Sequence, residues 1–211
     1  IHGRTTKALR LLEKAPQDTV PIIDEIKKMQ DNLSRIEKII RGLKLFSRNA
    51  AEDPLVPHCL GDIVSDTLAL CGERFRAHKV EIRIVSTPTS KIDCRPTQIS
   101  QVITNLLSNS FDAISHLAEK WIEIKIYENQ SQVFLTIRDS GKGIAPELHE
   151  KIMQPFFTTK EFGKGTGLGL SISKGIIESH GGKFQLENTD SHTCFKIIFQ
   201  KSNLNVGGLA A

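Results

Sequence analysis

The sequence predicts an α+β protein, a helical hairpin followed by an α/β sandwich whose mixed sheet is covered by helices on one face. Three observations carry that prediction. Ile22, Ile26, Met29, Leu33, Ile36, Ile40 and Leu43 recur at alternating steps of four and three, an a/d heptad seam. Beyond Pro57, period-two runs such as Ile122/Ile124/Ile126 and Val133/Leu135/Ile137 alternate with helix-like segments, so each strand buries one face. Glu52-Asp53-Pro54 and Pro57 break the chain between the two patterns. The expected division is a hairpin over residues 1–50, a linker over 51–57, a sandwich over 58–202 and a tail over 203–211.

The hairpin opens with a helix from Thr6 to Ala15, whose Ala8, Leu9, Leu11 and Leu12 are apolar, and turns at Pro16-Gln17-Asp18. Asp18 or Thr19 can cap the second arm, Pro21 is tolerated in its first turn, and the helix is expected to run to Arg48. Ile23, Ile39 and Phe46 widen the apolar stripe beyond the needs of a two-stranded coil, so the hairpin should enter a four-helix bundle by dimerising. At 1.5 Å per residue the second arm would span roughly 45 Å and the first about half that. That mismatch predicts some 15 further helical residues upstream of Ile1.

In the sandwich the expected order is a helix over 58–77, a strand over 80–86, a helix over 96–117, and strands over 122–127 and 132–138. A glycine-rich region with a short helix after Pro146 follows, then a helix over 168–180 and strands over 183–187 and 194–200.

Of the 211 residues 39% are hydrophobic and 25% charged, which excludes collagen-like and wholly disordered chains. No stretch reaches the roughly 18 consecutive apolar residues of a membrane helix, so no membrane contact is expected of these residues, although an anchor could lie upstream. Cys59, Cys71, Cys94 and Cys194 show no CxxC spacing and read as reduced thiols in a cytoplasmic protein. The net charge of +4 is uneven: residues 1–50 hold eleven Lys/Arg against six acids. This basic arm lacks aromatic interleaving, so an acidic protein surface suits it as well as a nucleic acid, and no nucleic-acid role is assigned.

Three segments could carry chemistry. Asn105, Asn109 and Asp112 share one helical face away from the core residues Ile99, Val102, Ile103, Leu106, Leu107 and Ile114. That face is either a solvated one or a metal and phosphate face, since amide and carboxylate oxygens suit Mg²⁺. Asp139-Ser140-Gly141-Lys142-Gly143-Ile144 ends a strand. It is either a turn or a place where a carboxylate accepts from a base while glycines admit a planar ring. Gly163-Lys164-Gly165-Thr166-Gly167-Leu168-Gly169-Leu170 satisfies neither the P-loop nor the GxGxxG pattern. Its glycines nevertheless open a helix, where backbone N–H groups can hold an anion.

Together these segments resemble the histidine kinase branch of the ATPases related to gyrase, a heat-shock chaperone and the mismatch-repair ATPases. QVITNLLSNSFDAI, residues 101–114, resembles the kinases' asparagine box. Asp139 to Ile144 resembles the first glycine box, Pro155-Phe-Phe-Thr-Thr-Lys160 the phenylalanine box, and Gly165 to Leu170 the second glycine box. Residues 35–47 resemble the second helix of the dimerisation and phosphotransfer hairpin.

The resemblance implies ATP and Mg²⁺ as ligands. Asn109 would hold the metal, with Asn105 near the phosphates and Asp112 on the same face. Asp139 would accept from the adenine amino group, with Gly141, Gly143 and Ile144 beside the ring. Thr158, Thr159 and Lys160 would flank the nucleotide, and Gly165, Thr166, Gly167, Leu168, Gly169 and Leu170 would form a lid over the phosphates. Thr193 is a further adenine-side candidate. The implied activity is transfer of the γ-phosphate to a histidine and on to an aspartate of a response-regulator receiver domain, by a homodimer joined through the hairpin.

The acceptor motif departs from the family pattern. His2 is the only histidine of the hairpin and Thr6 stands four residues later, but Gly3 replaces the family's acid and Lys7 its proline. His2 therefore lacks a neighbouring base. The acceptor histidine is expected upstream of Ile1, so the chain should bind nucleotide without labelling itself. Two rival readings are a nucleotide-binding scaffold without catalysis and an ATP-driven clamp. The clamp would require a glutamate where Asn105 stands.

Overall fold

The computed structural model describes residues 22–30, 32–33, 36, 54–86, 88–161, 165–187 and 192–202. In the segment expected to form the hairpin, residues 22–30, 32–33 and 36 are helical. Ile22 is buried, whereas Ile23, Ile26, Leu33 and Ile36 keep 40–53% of their surface exposed. The first arm with His2, the linker up to Asp53 and the seam residues Ile40 and Leu43 lie outside the described residues, as does the tail from Asn203.

The sandwich begins with β1 (Val56–Cys59), α1 (Leu60–Ala77), β2 (Glu81–Val85), β3 (Lys91–Cys94) and α2 (Pro96–Ile114). Then come β4 (Trp121–Glu128), β5 (Gln132–Asp139), α3 (Gly169–Ser179), β6 (Lys183–Glu187) and β7 (Cys194–Gln200). Five strands form one sheet in the order β2-β4-β5-β7-β6, with β2 and β4 parallel and the other pairs antiparallel. Ile124, Ile137, Phe195 and Leu186 stand in one cross-strand row, and the helices pack on this face. On α2, Ile99, Val102, Ile103, Leu106, Leu107 and Ile114 are all buried, as the helical periodicity requires. β6 and β7 have the bounds their alternation predicts.

The main differences from expectation lie in three places. Val56–Cys59 is a strand paired antiparallel with Lys91–Cys94, where the sequence reading puts the linker's end and the start of a helix. Both strands have four residues, too few for alternation to announce them, and each is stabilised by a partner more than thirty residues away. The single short helix expected after Pro146 is two 3₁₀ turns, Pro146–Leu148 and Lys151–Met153. The helix expected over 96–117 ends at Ile114.

Among the described residues no helix is long and apolar enough to cross a membrane. All four cysteines are free thiols, and burial pushes Cys94 up to about 12.

Candidate functional site

Strand alternation delivers the buried carboxylate. In β5, Val133, Leu135, Ile137 and Asp139 share the helix-facing side, so the same period that builds the core aims Asp139 under α2. It is 2% exposed. Its Oδ1 accepts the Gly141 backbone N–H at 2.9 Å, and the hydroxyls of Ser110 and Thr193 also donate to it. Burial raises its pKa above the usual carboxylate value, against the opposing pull of Ser110, Gly141, His192 and Thr193. A Cβ on Gly141 would lie 2.7 Å from Asp139 Oδ1, so a side chain there would disturb this arrangement. His192 adds a second support, its Nδ1 lying 3.0 Å from the Gly141 carbonyl oxygen.

The polar face of α2 converges on a cation. Lys160 Nζ lies 2.5 Å from Asp112 Oδ2 and donates to Asn109 Oδ1 at 3.4 Å. Arg74 approaches the other Asp112 oxygen at 3.8 Å. Hard oxygens of Asn109 and Asp112 thus already hold positive charge. Their chemistry fits Mg²⁺, which binds through one or two protein oxygens and completes its shell with water and phosphate. One turn earlier on α2, Asn105 donates from Nδ2 to Ser173 Oγ on α3 at 2.9 Å.

The alternate glycines before α3 have a packing reason that spacing alone did not disclose. Each lies against a different neighbour. A Cβ on Gly165 would stand 2.5 Å from Thr158 Oγ1, one on Gly167 2.3 Å from the Phe156 carbonyl carbon, and one on Gly169 2.3 Å from Asn105 Oδ1. Gly167 also has φ +67°, a conformation that disfavours other residues. The support under Gly167 is the backbone of Phe156 and Phe157. The Phe156 ring itself is 62% exposed and its φ is +69°.

These elements surround a cavity of about 940 Å³. Asn105, Asn109, Asp112, Asp139, Gly143, Ile144, Thr158, Thr159, Lys160, Gly165, Thr166, Gly167, Gly169, Leu170 and Thr193 all line it. Gly141 and Leu168 do not. Gly141 is buried beneath Asp139, and Leu168, 3% exposed, precedes α3, where its carbonyl accepts from Ser171 Oγ at 3.0 Å. Sequence reasoning missed Arg74, Ser110, Leu148, Ile152 and Phe195, which also line the cavity. Ser110 follows Asn109 directly and could have been found from that adjacency. Arg74 had no signal, because only the packing of α1 on α2 brings it here. The result is an amphipathic cavity, with Ile144, Leu148, Ile152 and Phe195 apolar and Asn105, Asn109, Thr158 and Lys160 polar. Such a lining suits a planar base joined to an anionic tail.

Residues 94–203 match the family described as histidine kinase-, DNA gyrase B-, and HSP90-like ATPase. The two-component sensor PprA of Pseudomonas aeruginosa is 33% identical over 183 residues, 82% of this chain and 19% of that protein. The catalytic domain of histidine kinase ThkA is similar in structure, with a TM-score of 0.62 and 32% identity over 70% of this chain and 95% of that one. ThkA in complex with the response regulator protein TrrA gives a TM-score of 0.75 at 26% identity, covering 95% of this chain and 58% of that one. The chain spans less than a third of the length of the curated relatives it matches. With its buried Asp139, its asparagine-bearing helix and its glycine-packed approach to α3, the chain belongs to the histidine kinase, DNA gyrase B and HSP90-like ATPase family, in the sensor histidine kinase branch.

Proposed function

We propose that this chain is the ATP-binding core of a sensor histidine kinase, which passes the γ-phosphate of ATP to a histidine of the full-length protein and then to an aspartate of a response regulator. The observation that carries the reading is Asp139, a buried carboxylate held by three donors in a cavity that also presents Asn109, Asp112 and Lys160. Asp139 accepts from the exocyclic amine of adenine, and Gly141 and Gly143 admit the ring close to the backbone. Thr193 contributes from the same side. Asn105 and Thr158, Thr159 and Lys160 orient the phosphates, while Gly165, Thr166, Gly167, Leu168, Gly169 and Leu170 close over them. Asn109 is the protein ligand for Mg²⁺, whose charge, when bound, offsets that of the phosphates. Phosphoryl transfer needs positioning and charge neutralisation above all, and these residues supply both.

The wider architecture follows the same reading: a hairpin over 1–50, a linker over 51–57 and an ATP-binding domain over 58–202. The exposed seam residues Ile26, Leu33 and Ile36, with Ile23 beside them, support a homodimer in which two hairpins form a four-helix bundle. The ThkA complex supports a response-regulator receiver as partner, and the free thiols suit the reducing cytoplasm.

Titration of the 211-residue chain with ATP, with and without Mg²⁺, tests the nucleotide reading. Binding strengthened by Mg²⁺ is expected, and absence of ATP binding in both conditions overturns it. Incubating the full-length protein with γ-labelled ATP tests the transfer, which should leave acid-labile phosphate on a histidine.

A further inference from the structure

Arg74 belongs to α1, outside every segment that resembles a nucleotide motif, yet it lines the cavity. Its guanidinium carbon sits 4.3 Å from the centroid of the Phe111 ring. That ring is itself fixed: Phe75 meets it edge-on at 5.8 Å, His78 edge-on at 5.0 Å, and Phe111 is 6% exposed. A guanidinium stacked on an immobile ring is held ready, so little side-chain entropy remains to be lost when it binds.

Its ionic partner holds it only weakly. Arg74 and Asp112 are 3.8 Å apart with side chains 52% and 37% exposed, and such pairs add little to stability. Asp112 is already engaged by Lys160 at 2.5 Å. Arg74 and Lys160 are the two cations among the described residues lining the cavity, and both converge on the carboxylate beside Asn109.

We propose that Arg74 is a phosphate-binding residue of this site, stacked on Phe111 and parked on Asp112 until the distal phosphates of a bound nucleotide replace that carboxylate as its partner. The planar fork suits the bidentate grip of two phosphate oxygens, which the lysine, a point charge, cannot provide. This proposal rests on the reading of the cavity as an ATP site.

The test is calorimetric titration of the 211-residue chain and its variants with adenosine, ADP and Mg-ATP. Arg74→Met keeps the stem's packing and removes the charge. It should weaken Mg-ATP roughly tenfold, the loss of one charge-assisted contact, weaken ADP less, and leave adenosine unchanged. Arg74→Lys should recover part of the Mg-ATP affinity. A loss shared equally by all three ligands, or full Mg-ATP affinity in Arg74→Met, overturns the proposal. If the unsubstituted chain binds none of the three, the ATP reading falls and this proposal with it. If the unsubstituted chain binds them and Arg74→Met matches it, the assignment of Arg74 alone fails.

Discussion

Lys160 Nζ bridges Asp112 Oδ2 at 2.5 Å and Asn109 Oδ1 at 3.4 Å, although 48 residues or more separate it from both. The two oxygens therefore form a cation-holding pair. On α2, Asn109 stands one turn and Asp112 two turns beyond Asn105, so the three share one polar face.

Replacing Asn109 with Ala should remove the strengthening of ATP binding by Mg²⁺ and leave adenosine binding as it was. The expected loss is on the order of tenfold or more in Mg-ATP affinity. Parallel titrations with Mg²⁺ and with excess chelator read it directly. An Asn109→Ala chain that still binds ATP more tightly with Mg²⁺ would assign the metal elsewhere.

Asp139 joins function to a cost in stability. Burial raises its pKa, so the folded chain keeps this proton to a higher pH than the unfolded chain. Stability from this group consequently declines as pH rises through the interval between the two values, and the ionised form at neutral pH is a net burden. Asp139→Asn should retain or slightly raise the thermal midpoint while weakening ATP on the order of a hundredfold, because a carboxylate acceptor becomes an amide. In the unsubstituted chain, ATP affinity should fall on acidification at a higher pH than an ordinary carboxylate would impose.

Two glycines with left-handed backbones separate strain from packing. Gly181, at φ +68°, has open space around the position a Cβ would take, with nothing within 4 Å, so Gly181→Ala should cost about 1–2 kcal/mol in unfolding free energy and spare nucleotide binding. Gly167, at φ +67°, would drive its methyl into the Phe156 and Phe157 backbone. Gly167→Ala should lose more stability than Gly181→Ala and also lose ATP affinity. Denaturant melts combined with ATP titration distinguish the two, and equal effects on ATP would contradict the packing account.

His180 ties the end of α3 to the start of α2. Its Nε2 accepts the Arg95 backbone N–H at 3.0 Å and its Nδ1 donates to the Ile176 carbonyl at 2.7 Å, an arrangement that requires the neutral ring. Burial lowers its pKa, aided by the Arg95 charge and opposed by the Ile176 bond. Stability from a group so shifted is present above its unfolded value, about 6.5, and is lost as pH falls through the lower folded value. The thermal midpoint should therefore drop on acidification below about pH 6.5, and His180→Gln should flatten that part of the profile. A profile identical in both chains would remove His180 as its cause.

Local periodicity and short motifs determined much of this protein by themselves. The bounds of β6 and β7, the buried stripe of α2 and the shared face of Asn105, Asn109 and Asp112 follow from periods of two and 3.6, which are properties of neighbouring residues. The family was legible because its boxes are contiguous stretches. Only the tertiary structure decided what depends on distant partners. β1 and β3 exist as a pair, Arg74 reaches the cavity because α1 packs on α2, and Ser110 and Thr193 meet at Asp139 from a helix and a strand end. The glycines at 165, 167 and 169 carry the same lesson: their spacing is visible in the chain, but its reason lies in the two segments they touch, residues 156–160 and α2. Hydrogen bonds and close packing act between surfaces that folding brings together, and no window along the sequence contains both sides of such a contact.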